Sequence, residues 1–144
     1  MFHDTPLPGV VVVEPELVRD ERGWFARTFA AEEFEAAGLA PAVVHCNLSF
    51  NARAGTLRGM HYQADPFGEC KLIRCTGGGL YDVAVDLRRD SPTYLRWHAV
   101  ELTAERRGVR DASDSAAGVS VAGGRRSVPK FGGQAPVPGE AMHP

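Results

Sequence analysis

The sequence predicts an all-β fold, a β-sandwich or rolled barrel with one short helix. Three observations predict it. Short β-rich runs recur along residues 9–102, each closed by a turn signal; one of them alternates with a period of two; and only one stretch carries a helical pattern. At 144 residues the chain is long enough to bury one core but not two.

The elements follow in order. Residues 10–14 begin with four valines and are bounded by Pro8 and Pro15. The turn Asp20-Glu21-Arg22-Gly23 leads into a strand at 24–29. Residues 30–37 have helical character, and Gly38 is placed to end the helix. A strand is expected over 42–50, and Asn51-Ala52-Arg53-Ala54-Gly55 turns the chain into another at 56–63. Strands at 71–76 and 80–87 flank Gly77-Gly78-Gly79, and the second alternates Tyr81, Val83, Val85 and Leu87 with Asp82, Ala84 and Asp86. The turn Arg89-Asp90-Ser91-Pro92 precedes a final strand at 95–102.

Composition excludes several classes of partner. Hydrophobic residues are 44% and charged residues 24%, ordinary values for a globular domain. The net charge of −2 leaves no electrostatic footprint for nucleic acid or an anionic membrane, and no apolar run reaches the length of a membrane span. The start of the chain lacks a basic segment followed by an apolar run, so no secretory signal is expected. Three cysteines, Cys46, Cys70 and Cys75, without metal-type spacing suit a reduced, cytoplasmic setting. Of sixteen basic residues only Lys71 and Lys130 are lysines, which singles both out, because lysine is the more tunable cation.

From Gly108 the texture changes. Residues 108–144 contain seven glycines, four prolines and one aromatic, Phe131, with no sustained periodicity. Such a stretch buries too little apolar surface to offset its ordering entropy, so an irregular tail is expected, not a second domain.

Chemistry-bearing residues concentrate between His45 and Asp86. Gly55, His61, Glu69 and Gly77 have a spacing that resembles the first motif of the cupin superfamily, but Gln63 stands where metal-binding cupins have a second histidine. An amide is a poor transition-metal ligand beside imidazole, and one His with one Glu does not close a site, so no metal or other cofactor is expected. Arg58, His61, Gln63, Lys71 and Asp82 lie on consecutive expected strands of an otherwise apolar sheet. A cation beside an imidazole favours its neutral, proton-accepting form, and a lysine supplies a donor for an oxyanion. That set suits proton abstraction next to a carbonyl; a satisfied core histidine is the plainer alternative for His61.

Three runs carry a closer resemblance. They are Asn47-Leu-Ser49-Phe-Asn-Ala-Arg-Ala-Gly55-Thr-Leu-Arg58-Gly-Met-His61-Tyr62-Gln63, then Lys71-Leu-Ile-Arg74-Cys75, then Tyr81-Asp82-Val-Ala-Val-Asp86-Leu-Arg88 with Ser91-Pro92-Thr93-Tyr94. With Asp20-Glu-Arg22-Gly23-Trp-Phe25 and Val100-Glu-Leu-Thr-Ala-Glu105, they resemble the dTDP-4-dehydrorhamnose 3,5-epimerase family over nearly all of 9–107. The resemblance implies a cupin-like jelly roll, incomplete here, over 1–107. It implies a metal-free homodimer that epimerises C3 and C5 of a dTDP-4-keto-6-deoxy sugar through enolates. By position, His61 resembles the base, Lys71 the donor to the C4 oxygen, Asp82 an orienting carboxylate, and Arg58 a substrate contact. Arg22 and Phe25 match positions that hold the nucleotide, and Asn47 and Ser49 sit in a segment lining the same cleft. Arg27 stands where the family often has glutamate, and His45 where it commonly has glutamine; both fall among the substrate-binding positions.

The larger departure follows Arg107. The family's Val-Pro-x-Gly-Phe-Ala-His-Gly-Phe strand and its acid tyrosine have no counterpart, since no tyrosine follows Tyr94. Residues 129–139 resemble the family's closing segment, but Ser127 and Val128 stand where the partner aspartate of the histidine is expected. An internal deletion or frameshift after Arg107 accounts for this pattern. Two other functions stay open at this point, a non-catalytic sugar-nucleotide-binding relic and a metal-dependent cupin.

Overall fold

The computed structural model describes residues 1–64, 67–104, 108–111 and 116–123, the last two segments as strand backbone. Among the described residues, ten strands and one helix follow in the order β1 (Phe2–Asp4), β2 (Val10–Val13), β3 (Val18–Asp20), β4 (Gly23–Phe25), α1 (Ala31–Ala36), β5 (Thr56–His61), β6 (Lys71–Arg74), β7 (Gly79–Asp86), β8 (Trp97–Thr103), β9 (Gly108–Asp111) and β10 (Ala116–Gly123). They form two four-stranded sheets, β1-β2-β9-β6 and β5-β10-β7-β8, with β3 and β4 as a separate hairpin. The expected all-β class with one short helix is what the described residues adopt.

The valine run shows why the sheets pack as they do. Successive strand residues point to opposite faces. Val10 and Val12 join Leu7, Ile73, Cys75, Leu80, Ala84, Val100 and Leu102 in the core between the sheets. Val11 and Val13 pack on the other side against Phe34 and Leu39, with Phe2 and Phe29. Both faces of β2 are therefore covered, which is why its sequence is continuously apolar rather than alternating. Burying each such side chain contributes about 1.5–3 kcal/mol.

Helix α1 has no side-chain N-cap and only six residues. Tertiary packing holds it instead: Phe34 is 1% exposed and meets Phe2 edge-on at 5.3 Å and Phe29 at 4.7 Å. Gly38, at φ +72°, ends the helix. Its N–H donates to the Glu35 carbonyl and that of Leu39 to the Phe34 carbonyl, both at 2.9 Å, and Leu39 packs back on Phe34. This is a Schellman termination, and it uses the left-handed conformation that glycine tolerates.

Two expectations need correction. Residues 42–50 form no strand, although Val44, Cys46, Leu48 and Phe50 alternate with His45, Asn47 and Ser49. A strand needs a neighbour for its backbone groups, and among the described residues none pairs with this arm. The second difference lies in the stretch expected to be irregular. Its first part carries two strands: β9 runs between β2 and β6, and β10 between β5 and β7. Alanine and glycine weaken the β signal of 116–123, but a central strand gains backbone hydrogen bonds on both sides. The segment 129–139 lies outside the described residues.

Candidate active site

The site is built by strand register. β10 aligns Ser120 with Arg58 on one side and with Asp82 on the other, and β7 aligns Asp82 with Val100. The next row holds His61, Gly118, Ala84 and His98. Residues paired across an antiparallel ladder share a face, and Ala84 and Val100 belong to the core between the sheets. Arg58, His61, Asp82 and His98 are therefore on the inner face.

A β-bulge makes this possible. Arg58 and His61 are three residues apart, which in a regular strand puts them on opposite faces. Between Ser120 and Gly118 the register shifts, so that Gly59 and Met60 together face Val119 alone. The extra residue returns His61 to the face of Arg58. Gly59 sits at φ +115°, open to glycine and poorly open to other residues.

Lys71 comes from the opposite sheet. It is the first residue of β6, and with Ile73 and Cys75 it shares one parity; those two pack in the inter-sheet core. Lys71 is thus on the inner face of its own sheet. Its ammonium lies 3.3 Å from Glu69 Oε1. Asp82 is 5% exposed, whereas His61 and Arg58 are open to solvent. The Arg58 guanidinium donates to Asn51 Oδ1 (2.5 Å) and to the Phe50 carbonyl (3.2 Å), and so ties the end of the 42–50 arm to β5.

The remaining sequence-derived residues sit elsewhere. Arg22 is at the tip of the β3–β4 hairpin, where Asp20 accepts its backbone N–H (2.9 Å) and its Nε (3.1 Å). Hydrogen bonds from the Arg22 side chain and backbone hold the Asp20 carboxyl below its ordinary value. Phe25 and Arg27 line a cavity of about 270 Å³ with Phe2, Phe29, Phe34 and Glu33, and Arg27 pairs with Glu33 at 3.2 Å. That cavity includes none of Arg58, His61, Lys71 or Asp82. His45, Asn47 and Ser49 are exposed along the arm. Register thus sets Arg58, His61, Lys71 and Asp82 on the inward faces of the two sheets, with Arg58 and His61 open to solvent, and Arg22, Phe25, Arg27, His45, Asn47 and Ser49 lie on the hairpin, the segment after it and the arm.

Sequence reasoning passed over His98. The parity signal was available, because Val100 and Leu102 are apolar and His98 precedes them by two and four residues. It also passed over the clasp at Asp86, which takes five hydrogen bonds from Arg88, Ser91 and Thr93. Among the described residues no group of three or more His, Cys, Asp or Glu side chains is placed to hold a metal ion.

Two facing sheets around an apolar core, with polar residues at register positions of their inner faces, define a cupin-like jelly roll. The family follows from the sequence pattern. The chain belongs to the dTDP-4-dehydrorhamnose 3,5-epimerase family, whose pattern matches residues 4–109. The Shigella flexneri dTDP-4-dehydrorhamnose 3,5-epimerase is 44% identical over 102 residues, covering 70% of this chain and 56% of that protein. The Bacillus anthracis enzyme, solved with TDP and pyrophosphate bound, superposes with a TM-score of 0.81 at 33% identity, over 85% of this chain and 70% of that one. The Legionella pneumophila enzyme, solved with dTDP-4-keto-L-rhamnose, gives 0.70 at 28% identity, over 87% and 66%. The chain thus spans about half the length of the curated relatives it matches.

Proposed function

We propose that this chain is a sugar-nucleotide epimerase that acts at C3 and C5 of a dTDP-4-keto-6-deoxyhexose in deoxysugar biosynthesis. One observation carries the reading: in a chain of this family, the bulge at Gly59 and Met60 brings His61 to the face that holds Arg58 and Asp82, and Lys71 lies on the inner face of the opposite sheet. C3 and C5 both lie next to the C4 carbonyl, so their protons are acidified by the oxygen that takes up the electrons. His61 accepts the proton, and the Lys71 ammonium donates a hydrogen bond to the C4 oxygen as negative charge develops there. Arg58 contacts the substrate and Asp82 orients polar groups beside the base. A water molecule on the opposite face reprotonates the enolate and completes each inversion, and the proton held by His61 passes to solvent.

The nucleotide falls to Arg22, Phe25, Arg27, His45, Asn47 and Ser49. Support comes from the hairpin and arm, which present them with exposed apolar neighbours: Val18 at 64%, Val43 at 56%, Val44 at 83% and Phe50 at 83%. Such surface is costly as a monomer's exterior and supports a homodimer in which a second copy covers it; a one-copy mass by light scattering would remove the dimer. Three free cysteines support a reducing, cytoplasmic setting, and among the described residues no helix is long and apolar enough to cross a membrane.

The solvent exposure of Arg58 and His61, unlike groups held in a dry site, favours a second reading, a relic that binds the sugar nucleotide without turnover. Deuterium incorporation from solvent into the keto sugar separates the two: an epimerase exchanges the C3 and C5 protons, and a relic leaves them in place.

A further inference from the structure

The cupin-type spacing contains two residues that the proposed reaction leaves unused, Gln63 and Glu69. Their side chains meet each other. With its amide nitrogen facing the two acceptors, the Gln63 side chain donates to Glu69 Oε1 at 3.0 Å and to the Phe67 carbonyl at 3.3 Å. The same Glu69 oxygen lies 3.3 Å from the Lys71 ammonium. Gln63 follows His61 by two residues, and Lys71 opens β6. β5 and β6 belong to different sheets and share no backbone ladder. The Gln63–Glu69–Lys71 series is therefore a direct side-chain link between the end of the strand that carries the base and the strand that carries the cation.

We infer that Gln63 and Glu69 are positioning residues that hold the Lys71 ammonium at the inner face, in place to meet the C4 oxygen. The assignment rests on the epimerase reading for the role of Lys71. A lysine side chain is flexible, and ordering it at the moment of reaction costs rotamer freedom. An ammonium has three donors. Glu69 engages one and leaves two for the developing oxyanion, so the ordering is complete before substrate arrives. Gln63 fixes Glu69 in turn, because a half-exposed carboxylate with one partner swings freely.

The test combines kinetics with a direct view of the side chain. Glu69→Ala is expected to lower kcat for proton exchange about tenfold, the modest end of the loss for a misplaced donor, with KM within twofold. Glu69→Gln, which keeps an acceptor oxygen, is expected to restore most of it. Lys71 and Lys130 are the two lysines of the chain, so 13C-lysine labelling gives two ε-methylene signals, assigned with Lys130→Arg. Lys71 is expected to be the more restrained signal in the wild type and to gain mobility in Glu69→Ala and Gln63→Ala. Equal Lys71 mobility in wild type and Glu69→Ala overturns the link whatever the kinetics give. An unchanged kcat with a released Lys71 overturns the positioning role. A wild-type chain that exchanges no proton while Lys71 stays restrained removes the epimerase reading and the catalytic purpose of the link, and leaves its geometry standing.

Discussion

Replacing Asp86 with alanine tests the clasp that closes the β7–β8 connection. Its Oδ1 accepts the Arg88 backbone N–H at 3.0 Å and Nε at 2.9 Å; its Oδ2 accepts a second Arg88 nitrogen at 2.9 Å, Ser91 Oγ at 2.5 Å and Thr93 Oγ1 at 2.7 Å. The same guanidinium reaches the Pro8 carbonyl at 2.7 Å, so the clasp also reaches the loop before β2. Breaking a buried ion pair costs about 3–5 kcal/mol. The Asp86 side chain is 1% exposed but Arg88 is 33% exposed and rehydrates, which brings the expected loss to about 2–4 kcal/mol, a large share of a net stability of about 5–15 kcal/mol. With a urea dependence of about 2 kcal/mol per molar, the middle of the usual range, the unfolding midpoint falls by about 1–2 M. Burial pushes the Asp86 carboxyl up, but the bonds from Arg88, Ser91 and Thr93 outweigh it and hold the group well below its ordinary 3.8. A depressed carboxyl contributes stability that is fully present above the unfolded value and lost as pH falls through the folded one. Wild-type stability should therefore fall below about pH 4 in part through this group, and Asp86→Asn should flatten that acid limb. An Asp86→Ala midpoint within experimental error of the wild type, with the same acid slope, would refute the reasoning.

Other substitutions probe the interior set and the strand order. His61→Asn should abolish deuterium exchange while dTDP affinity, read by calorimetry, stays near wild type; parallel loss of both would make His61 structural. Lys71→Ala should slow exchange by about two to three orders of magnitude, the scale for removing one oxyanion donor, and an unchanged rate would dismiss it. A chain ending at Arg107 loses β9 and β10, the neighbours of β6 and β5. It should show no cooperative thermal transition, and a sharp transition would show that those strands are dispensable.

How much of this was legible in the sequence depended on where the partners of each segment lay. The valine run and the alternating 80–87 segment declared themselves, because their periods record which faces are buried. Residues 42–50 carry the same alternation, yet pattern cannot supply a neighbour, and the arm stays unpaired among the described residues. The strand at 116–123 was hidden by alanine and glycine, whose weak β preference is overridden by central placement, and the one at 108–111, Gly-Val-Arg-Asp, is too short to show a period. The site was half legible. Residue types and spacing pointed to Arg58, His61, Lys71 and Asp82, but the bulge that puts His61 on the right face is a matter of register. The Asp86 clasp depends on a turn folding back on its own strand, which spacing does not reveal.

The central claim is proton abstraction beside the C4 carbonyl, and solvent exchange tests it most directly. The purified chain is incubated with dTDP-4-keto-6-deoxyglucose in deuterium oxide, and label at C3 and C5 is read by NMR and mass spectrometry. The account predicts incorporation that depends on His61. Binding of the keto sugar without any label at either carbon would contradict it.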